Sequence, residues 1–231
     1  MNIDANFKLM ERIDVSQLEQ FVQEVLRPHY AGDDSLLWEL VRDRSRYIGL
    51  PDRPGDIAFR KMRPSSYMQL CVLNEESPFS PWALPMPVAL ERHDVLKSLI
   101  HEMSAVCCRH YGTGSLNFCV FAILGPKGEI PPHRDMPHDI NKKRYSHHLH
   151  IPLTQADTTV FTVGGEVFRM EQGGVYEINN MRVHSVSNGG DGYRVNLMLD
   201  YCCESAQQLR SERSPDLNLL TLHDFEQKHV D

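Results

Sequence analysis

This 231-residue chain predicts a mainly β fold with flanking helices. Three observations carry that class. After Gly114, short runs rich in β-branched and aromatic residues follow one another at close spacing. Between them stand Gly125-Pro126, Gly164-Gly165, Asn179-Asn180 and the Asn188–Gly192 cluster, all turn formers. Before Gly114, helical patterns flank a stretch from 50 to 90 that holds half of the chain's fourteen Pro. Closely spaced strands with Gly turns indicate an antiparallel sandwich or barrel.

The N-terminal elements come first. Ser16 with Glu19 reads as a capping box ahead of Leu18, Phe21, Val22, Val25 and Leu26, whose spacing is helical, and Pro28 is expected to close that helix. A second helix is expected over 35–44. The Pro-rich stretch excludes long helices but leaves room for strands over 57–62 and 68–73. Residues 91–111 read as a long helix with Val95, Leu99, Met103 and Val106 on one face, stopped by Gly112.

The β region follows as 116–124, 144–153, 158–163, 166–170, 173–178, 183–186 and 193–201. The tail from 202 to 231 is polar and expected to be partly helical. The expected organisation is one domain over 1–231. It comprises a helical, Pro-rich N-terminal buttress (1–115), a β core (116–201) and a C-terminal tail (202–231).

Composition bounds the function. Lys plus Arg is 24 against 31 Asp plus Glu, a net charge of −7, which disfavours a nucleic-acid partner. Cys71, Cys107, Cys108, Cys119, Cys202 and Cys203 form neither a disulfide framework nor a CxxC metal site, so reduced thiols in a cytoplasmic protein are expected, with the four of Cys107-Cys108 and Cys202-Cys203 as packing residues at element ends. No signal peptide is visible, and the longest nearly apolar run, 116–124, is far too short to span a membrane. Six of the twelve His fall between His133 and His184, the one compositional excess.

Within that excess lies His133-Arg134-Asp135, just after Pro131-Pro132. In extended backbone His133 and Asp135 point to the same side, offering one imidazole and one carboxylate to a single ion. His184, on a later strand between two turn clusters, is the natural third ligand. Two His and one carboxylate on one face of an octahedral ion leave open positions, the arrangement of non-haem Fe(II) oxygenases. His-Arg-Asp also opens a kinase catalytic loop, but Asn141 is one residue too far on and no Asp-Phe-Gly follows.

Arg194 stands ten residues after His184, across a turn, at the start of an apolar strand. Alternation puts Arg194, Asn196, Met198 and Asp200 on one face and Val195, Leu197 and Leu199 on the other. Charges on such a strand require partners: a dicarboxylate gripped by the guanidinium, or an internal pair of Arg194 with Asp200 or with a Glu.

Four blocks now stand together: His133-Arg-Asp135, His148-Leu-His150-Ile-Pro-Leu153, Val183-His184-Ser-Val-Ser-Asn188 and Arg194-Val-Asn-Leu-Met-Leu-Asp200. Their pattern resembles the aspartyl/asparaginyl β-hydroxylase family over about residues 116–201. The resemblance implies a double-stranded β-helix (jelly-roll, cupin-like) core and a dioxygenase dependent on Fe(II) and 2-oxoglutarate. It implies His133, Asp135 and His184 as iron ligands and Arg194 as anchor of the far carboxylate of the cosubstrate. His150 is expected to donate a hydrogen bond to cosubstrate or metal-bound oxygen. His148 stands where the family commonly carries a basic residue. For His147, of opposite parity, strand packing is expected.

The implied reaction hydroxylates an amino acid or amino-acid residue with O2, yielding succinate and CO2. The substrate is a small-molecule amino acid or a peptidyl or conjugated residue. Arg53, Arg60 and Arg63 are candidates for a substrate carboxylate, though solvated surface charge is the simpler reading of each. Two other classes stay open: a metal-binding jelly-roll sensor without oxygenase activity, and a zinc-type hydrolase or isomerase using the same three residues.

Overall fold

The computed structural model describes residues 5–32, 35–47, 67–74, 83–87, 90, 93–133, 135 and 146–204. The strand expected over 57–62, Arg53, Arg60, Arg63, Arg134 and the tail beyond 204 lie outside them. Eleven strands and four α-helices are described: β1 (Phe7–Arg12), α1 (Ser16–Gln20), a π-helical turn (Phe21–Leu26), α2 (Arg27–Tyr30), α3 (Leu36–Tyr47), β2 (Tyr67–Asn74), β3 (Ala83–Pro85), α4 (Asp94–Tyr111), β4 (Gly114–Leu124), β5 (Glu129–His133), β6 (His147–Pro152), β7 (Thr159–Val163), β8 (Glu166–Phe168), β9 (Gly174–Ile178), β10 (His184–Asn188) and β11 (Arg194–Cys203). No described helix is long and apolar enough to cross a membrane.

The strands form two sheets. The large one runs β1-β9-β6-β11-β4-β2-β3 and the small one β5-β10-β7-β8. From β4 onward the chain alternates between the sheets, with only β7 and β8 consecutive in one of them, so that β4-β11-β6-β9 faces β5-β10-β7-β8. That strand order is the double-stranded β-helix. The expected β core is therefore observed, with β1, β2 and β3 extending the large sheet at its two edges.

Alternation along β11 shows how one strand serves two interiors. Val195, Leu197 and Leu199 are fully buried in the larger core, with Phe121 and Ile123 of β4, Leu149 and Ile151 of β6, and the helices. Phe21 stacks towards Phe121 at 6.1 Å between ring centroids, and α4 packs on β4 and β11 through Leu99, Met103 and Val106. Leu124, Ile130, Phe161, Val163, Phe168, Tyr176, Ile178 and Val186 fill the second core, between the sheets.

Several local expectations are corrected. The helix start at Ser16 carries no capping box: the preceding Val15 has no side-chain cap, and Ser16 N donates instead to Asp14 Oδ1 at 2.9 Å. Pro28 does not end the helical run at once, because it lies in α2, which follows the π-helical turn without a break and continues to Tyr30. The long helix begins at Asp94 and is capped by the His93 ring, with Leu96 buried in place of the half-buried Val95. Gly112 stops it at φ 81°, a conformation open to glycine. Cys108 is exposed while Cys107, Cys202 and Cys203 are buried, so packing explains three of those four thiols.

Leu197 sits on the central strand of the large sheet with no exposure. Leu197→Ala is expected to lower unfolding free energy by about 2–5 kcal/mol, read from urea melts of the purified protein.

Candidate functional site

His133 ends β5 and His184 opens β10, and the antiparallel register sets them directly opposite one another. Their ring centroids are 4.2 Å apart. Each Nδ1 faces a backbone carbonyl two residues earlier: His133 with Pro131 O at 2.8 Å, His184 with Arg182 O at 3.0 Å. A carbonyl only accepts, so each Nδ1 carries the proton and each Nε2 keeps its lone pair for a metal.

Asp135 follows β5. Its N–H donates to Asn180 O at 3.3 Å, and its Oδ2 accepts from Asn180 Nδ2 at 2.9 Å. Asp135 Oδ1 then stands 3.7 Å from the Nε2 of both His133 and His184. One ligand atom from each of the three residues lies within 4.8 Å of the others. The donor set, two imidazole nitrogens and one carboxylate oxygen, suits a divalent first-row metal with open coordination positions. Burial pulls His184 down to about 4 against the opposing pull of Asp135, with His133 adding to the fall. Its imidazole is thus neutral at physiological pH, the form a metal binds.

Arg194 opens β11 opposite Leu124 of β4 and is 2% exposed. Its guanidinium carbon lies 5.0 Å from the Phe161 ring centroid. Burial lowers its pKa to about 10, so it stays a cation at neutral pH. Its Nη2 is buried without a hydrogen-bond partner. The internal Arg194–Asp200 pair weighed from sequence is not formed, because Asp200 bonds His148. An unpaired buried cation costs several kcal/mol, which an incoming anion would recover.

The register continues from Arg194 through Leu124 to Tyr67 of β2, all on the inner face. The Tyr67 hydroxyl accepts from Gln69 Nε2 at 2.6 Å, and its own hydrogen is uncommitted among the described residues. Burial raises its pKa to about 12, so it remains a donor, while Arg194 pulls it down and Asp135 pushes it up. Sequence reasoning missed Tyr67. It opens β2 within the Pro-rich stretch, one residue before the strand expected there, and its only signal was the Tyr-x-Gln parity.

His148 and His150 line the inner face of β6. Asn196 Nδ2 lies 3.0 Å from His150 Nδ1, His150 Nε2 lies 2.9 Å from His148 Nε2, and His148 Nδ1 lies 2.6 Å from Asp200 Oδ1. One proton arrangement satisfies every link with both rings neutral: Asn196 donates to His150, His150 to His148, and His148 to an ionised Asp200. Burial, with His148 and Arg194 acting the same way, holds His150 well below the ordinary imidazole range. His150 therefore shares the wall with Arg194, with its Nε2 bonded to His148. On the opposite face His147 bonds Glu177 Oε1 at 2.7 Å and stacks on Tyr111, a packing position as its parity predicts.

Residues 93–203 match the aspartyl/asparaginyl β-hydroxylase family. The matched region runs from the cap of α4 to the end of β11 and contains the four blocks and all six candidate residues. No curated protein matches the chain. Among solved structures it is similar to a 2OG-Fe(II) oxygenase family oxidoreductase from Burkholderia pseudomallei, at 18% identity, covering 84% of this chain and 92% of that one, TM-score 0.43. It is also similar to SnoK, a non-haem α-ketoglutarate-dependent carbocyclase of nogalamycin biosynthesis, at 14% identity, covering 50% and 62%, TM-score 0.39. A third is the Schizosaccharomyces pombe Cnp3 cupin domain, at 17% identity, covering 41% and 61%, TM-score 0.31. The chain thus spans less than two thirds of the Cnp3 domain and of SnoK. The strand order gives the matched region a jelly-roll fold.

The depressed His184 sets a pH dependence. Its folded pKa of about 4 lies below the ordinary 6.5, so the unfolded chain binds more protons between those values. Metal-free protein is therefore expected to keep this stability above about pH 6.5 and lose it as pH falls towards 4. Urea melts at stepped pH should show that fall, and His184→Gln should flatten it.

Proposed function

We propose that this protein is an Fe(II)- and 2-oxoglutarate-dependent dioxygenase that hydroxylates an amino acid or amino-acid residue, with succinate and CO2 as coproducts. The observation that carries the reading is the buried, unpartnered Nη2 of Arg194 on the wall of the same barrel as the His133/Asp135/His184 cluster. A hydrolase, an isomerase or a metal sensor built on those three residues has no use for a desolvated cation there. A cosubstrate with a keto acid at one end and a carboxylate at the other uses both.

His133, Asp135 and His184 would hold the iron, and iron with 2-oxoglutarate would supply the O2-dependent oxidation of a C–H bond. Everything else is work for the chain's own residues. The carbonyls of Pro131 and Arg182 keep the two imidazoles in the metal-binding tautomer, and Asn180 orients the carboxylate. Arg194 offers a charge-assisted hydrogen bond to the distal carboxylate, and the Tyr67 hydroxyl adds a neutral donor beside it. Phe161, Val163 and Leu124 exclude water, which strengthens both bonds. His150 and His148, locked in one hydrogen-bonded chain, make the wall rigid. The buried thiols fit the cytoplasmic setting expected from composition.

Adding Fe(II) and 2-oxoglutarate without oxygen tests the reading. A visible charge-transfer band of the chelate is expected for the native protein and should vanish in His133→Ala and His184→Ala. With oxygen and substrate, alanine at His133, Asp135 or His184 should abolish succinate release. Arg194→Met is expected to weaken 2-oxoglutarate binding about 100-fold, and Tyr67→Phe about 5-fold to 10-fold. Full turnover in all three alanine variants, or unchanged 2-oxoglutarate affinity in Arg194→Met, would refute the assignment.

A further inference from the structure

Inside a jelly-roll barrel, an inner-face residue that keeps some exposure marks the opening. In β11 the inner residues Arg194 and Asn196 are buried, while Met198 and Asp200 are half-buried. Phe118 of β4, paired with Asp200, shares that exposure, whereas its inner neighbours Val120, Ala122 and Leu124 are buried; the inner face of β2 is half-buried along its length, at Tyr67, Gln69 and Cys71, and does not distinguish the two ends. The strand directions agree. Leu124 and Arg194 lie beside the turn that joins β4 to β5, the closed end of the barrel. β5 then runs away from that turn to His133. Asp200 is six residues along β11 from Arg194, about 20 Å in extended backbone, towards the open end.

The charges there are few. On the described inner faces of β2, β4, β6, β9 and β11 the ionised side chains are Arg194 and Asp200, since His148 and His150 are neutral in their hydrogen-bonded chain. Arg194 is occupied by the cosubstrate in the reading above. Asp200 keeps one oxygen on His148 at 2.6 Å, and its other oxygen has no hydrogen-bond partner among the described residues. Its side chain is 20% exposed. A carboxylate braced on one oxygen and open on the other, at the mouth and beside the apolar Phe118 and Met198, recognises a cation with a short carbon skeleton.

We propose that Asp200, held by His148, is the subsite for the protonated α-amine of the substrate, so that this protein acts on a free amino acid and not on an internal residue of a polypeptide. An internal residue presents its nitrogen as an uncharged amide, which cannot form the ion pair. This assignment rests on the oxygenase reading and names the substrate class for it.

The test uses the native protein with Fe(II) and 2-oxoglutarate under anaerobic conditions. The visible chelate band is followed during titration with the proteinogenic free amino acids and with their Nα-acetyl forms. At least one free amino acid is expected to shift the band, and its Nα-acetyl form to bind about tenfold or more weakly. Asp200→Asn keeps an acceptor for His148 Nδ1–H. It should weaken the free amino acid by a similar factor while leaving 2-oxoglutarate affinity unchanged. Equal binding of acetylated and free forms overturns the proposal without recourse to any variant. So does unchanged amino-acid affinity in Asp200→Asn, or a band that no free amino acid perturbs. Absence of the band altogether overturns the oxygenase reading, and the proposal with it.

Discussion

The site depends on one cross-strand pair: His133 and His184 stand opposite each other because β5 and β10 are in that register and no other. A slip of one residue would turn His184 to the other face of its sheet. Two pairings prevent the slip, since β10 is hydrogen-bonded to β5 on one side and to β7 on the other, with His184 opposite Val163. Register alone would still leave the rings free to choose a tautomer. The carbonyls two residues before each His remove that choice, using backbone already fixed by strand pairing. Strand pairing thus sets position, direction and protonation together.

The large sheet carries a second constraint, the need to be a hydrophobic partner and a polar wall at once. Period-two alternation makes this possible. Along β11 the odd residues Val195, Leu197 and Leu199 bind the sheet to the helices, and the even residues Arg194, Asn196 and Asp200 are released for chemistry. The polar face is costly where it is incomplete. Arg194 Nη2 and Asn196 Oδ1 are buried without hydrogen-bond partners, departures from the near-complete satisfaction of protein interiors. Stability is supplied from the other face of the same strands, where aliphatic side chains meet α4 and the N-terminal helices.

That division explains what could be read from sequence. The strands of the core, the helix before them and the split faces of β11 all follow from local periodicity, which a single chain displays directly. The HxD pair is local too, and His184 entered through its place on a strand of compatible length. Register is not local. Nothing in the sequence says that β1 pairs with β9, that Tyr67 aligns with Arg194 through Leu124, or that Asp200 faces His148. Parity correctly put Arg194 and Asp200 on one face, and their pairing was a reasonable expectation. Extended backbone separates them by about 20 Å, and the partner of each had to come from a neighbouring strand or from a ligand. The capping box failed for a related reason: Asp14, two residues upstream, competes for the Ser16 N–H and wins.

The exchange of a basic residue for His148 has an electrostatic consequence. A guanidinium or ammonium at that position, within reach of Asp200, would form an ion pair and leave the mouth of the barrel neutral. It would also have no acceptor to offer His150. An imidazole differs in both respects. Its Nε2 accepts from His150 and its Nδ1–H donates to Asp200, so it links the two without bringing a charge. Asp200 therefore stays a net anion at the open end, while Arg194 is a net cation at the closed end, with neutral hydrogen-bonded rings between them. The interior is polarised along its axis, and the cosubstrate carboxylate and cationic substrate of the proposed reaction would be drawn to opposite ends of one cavity wall.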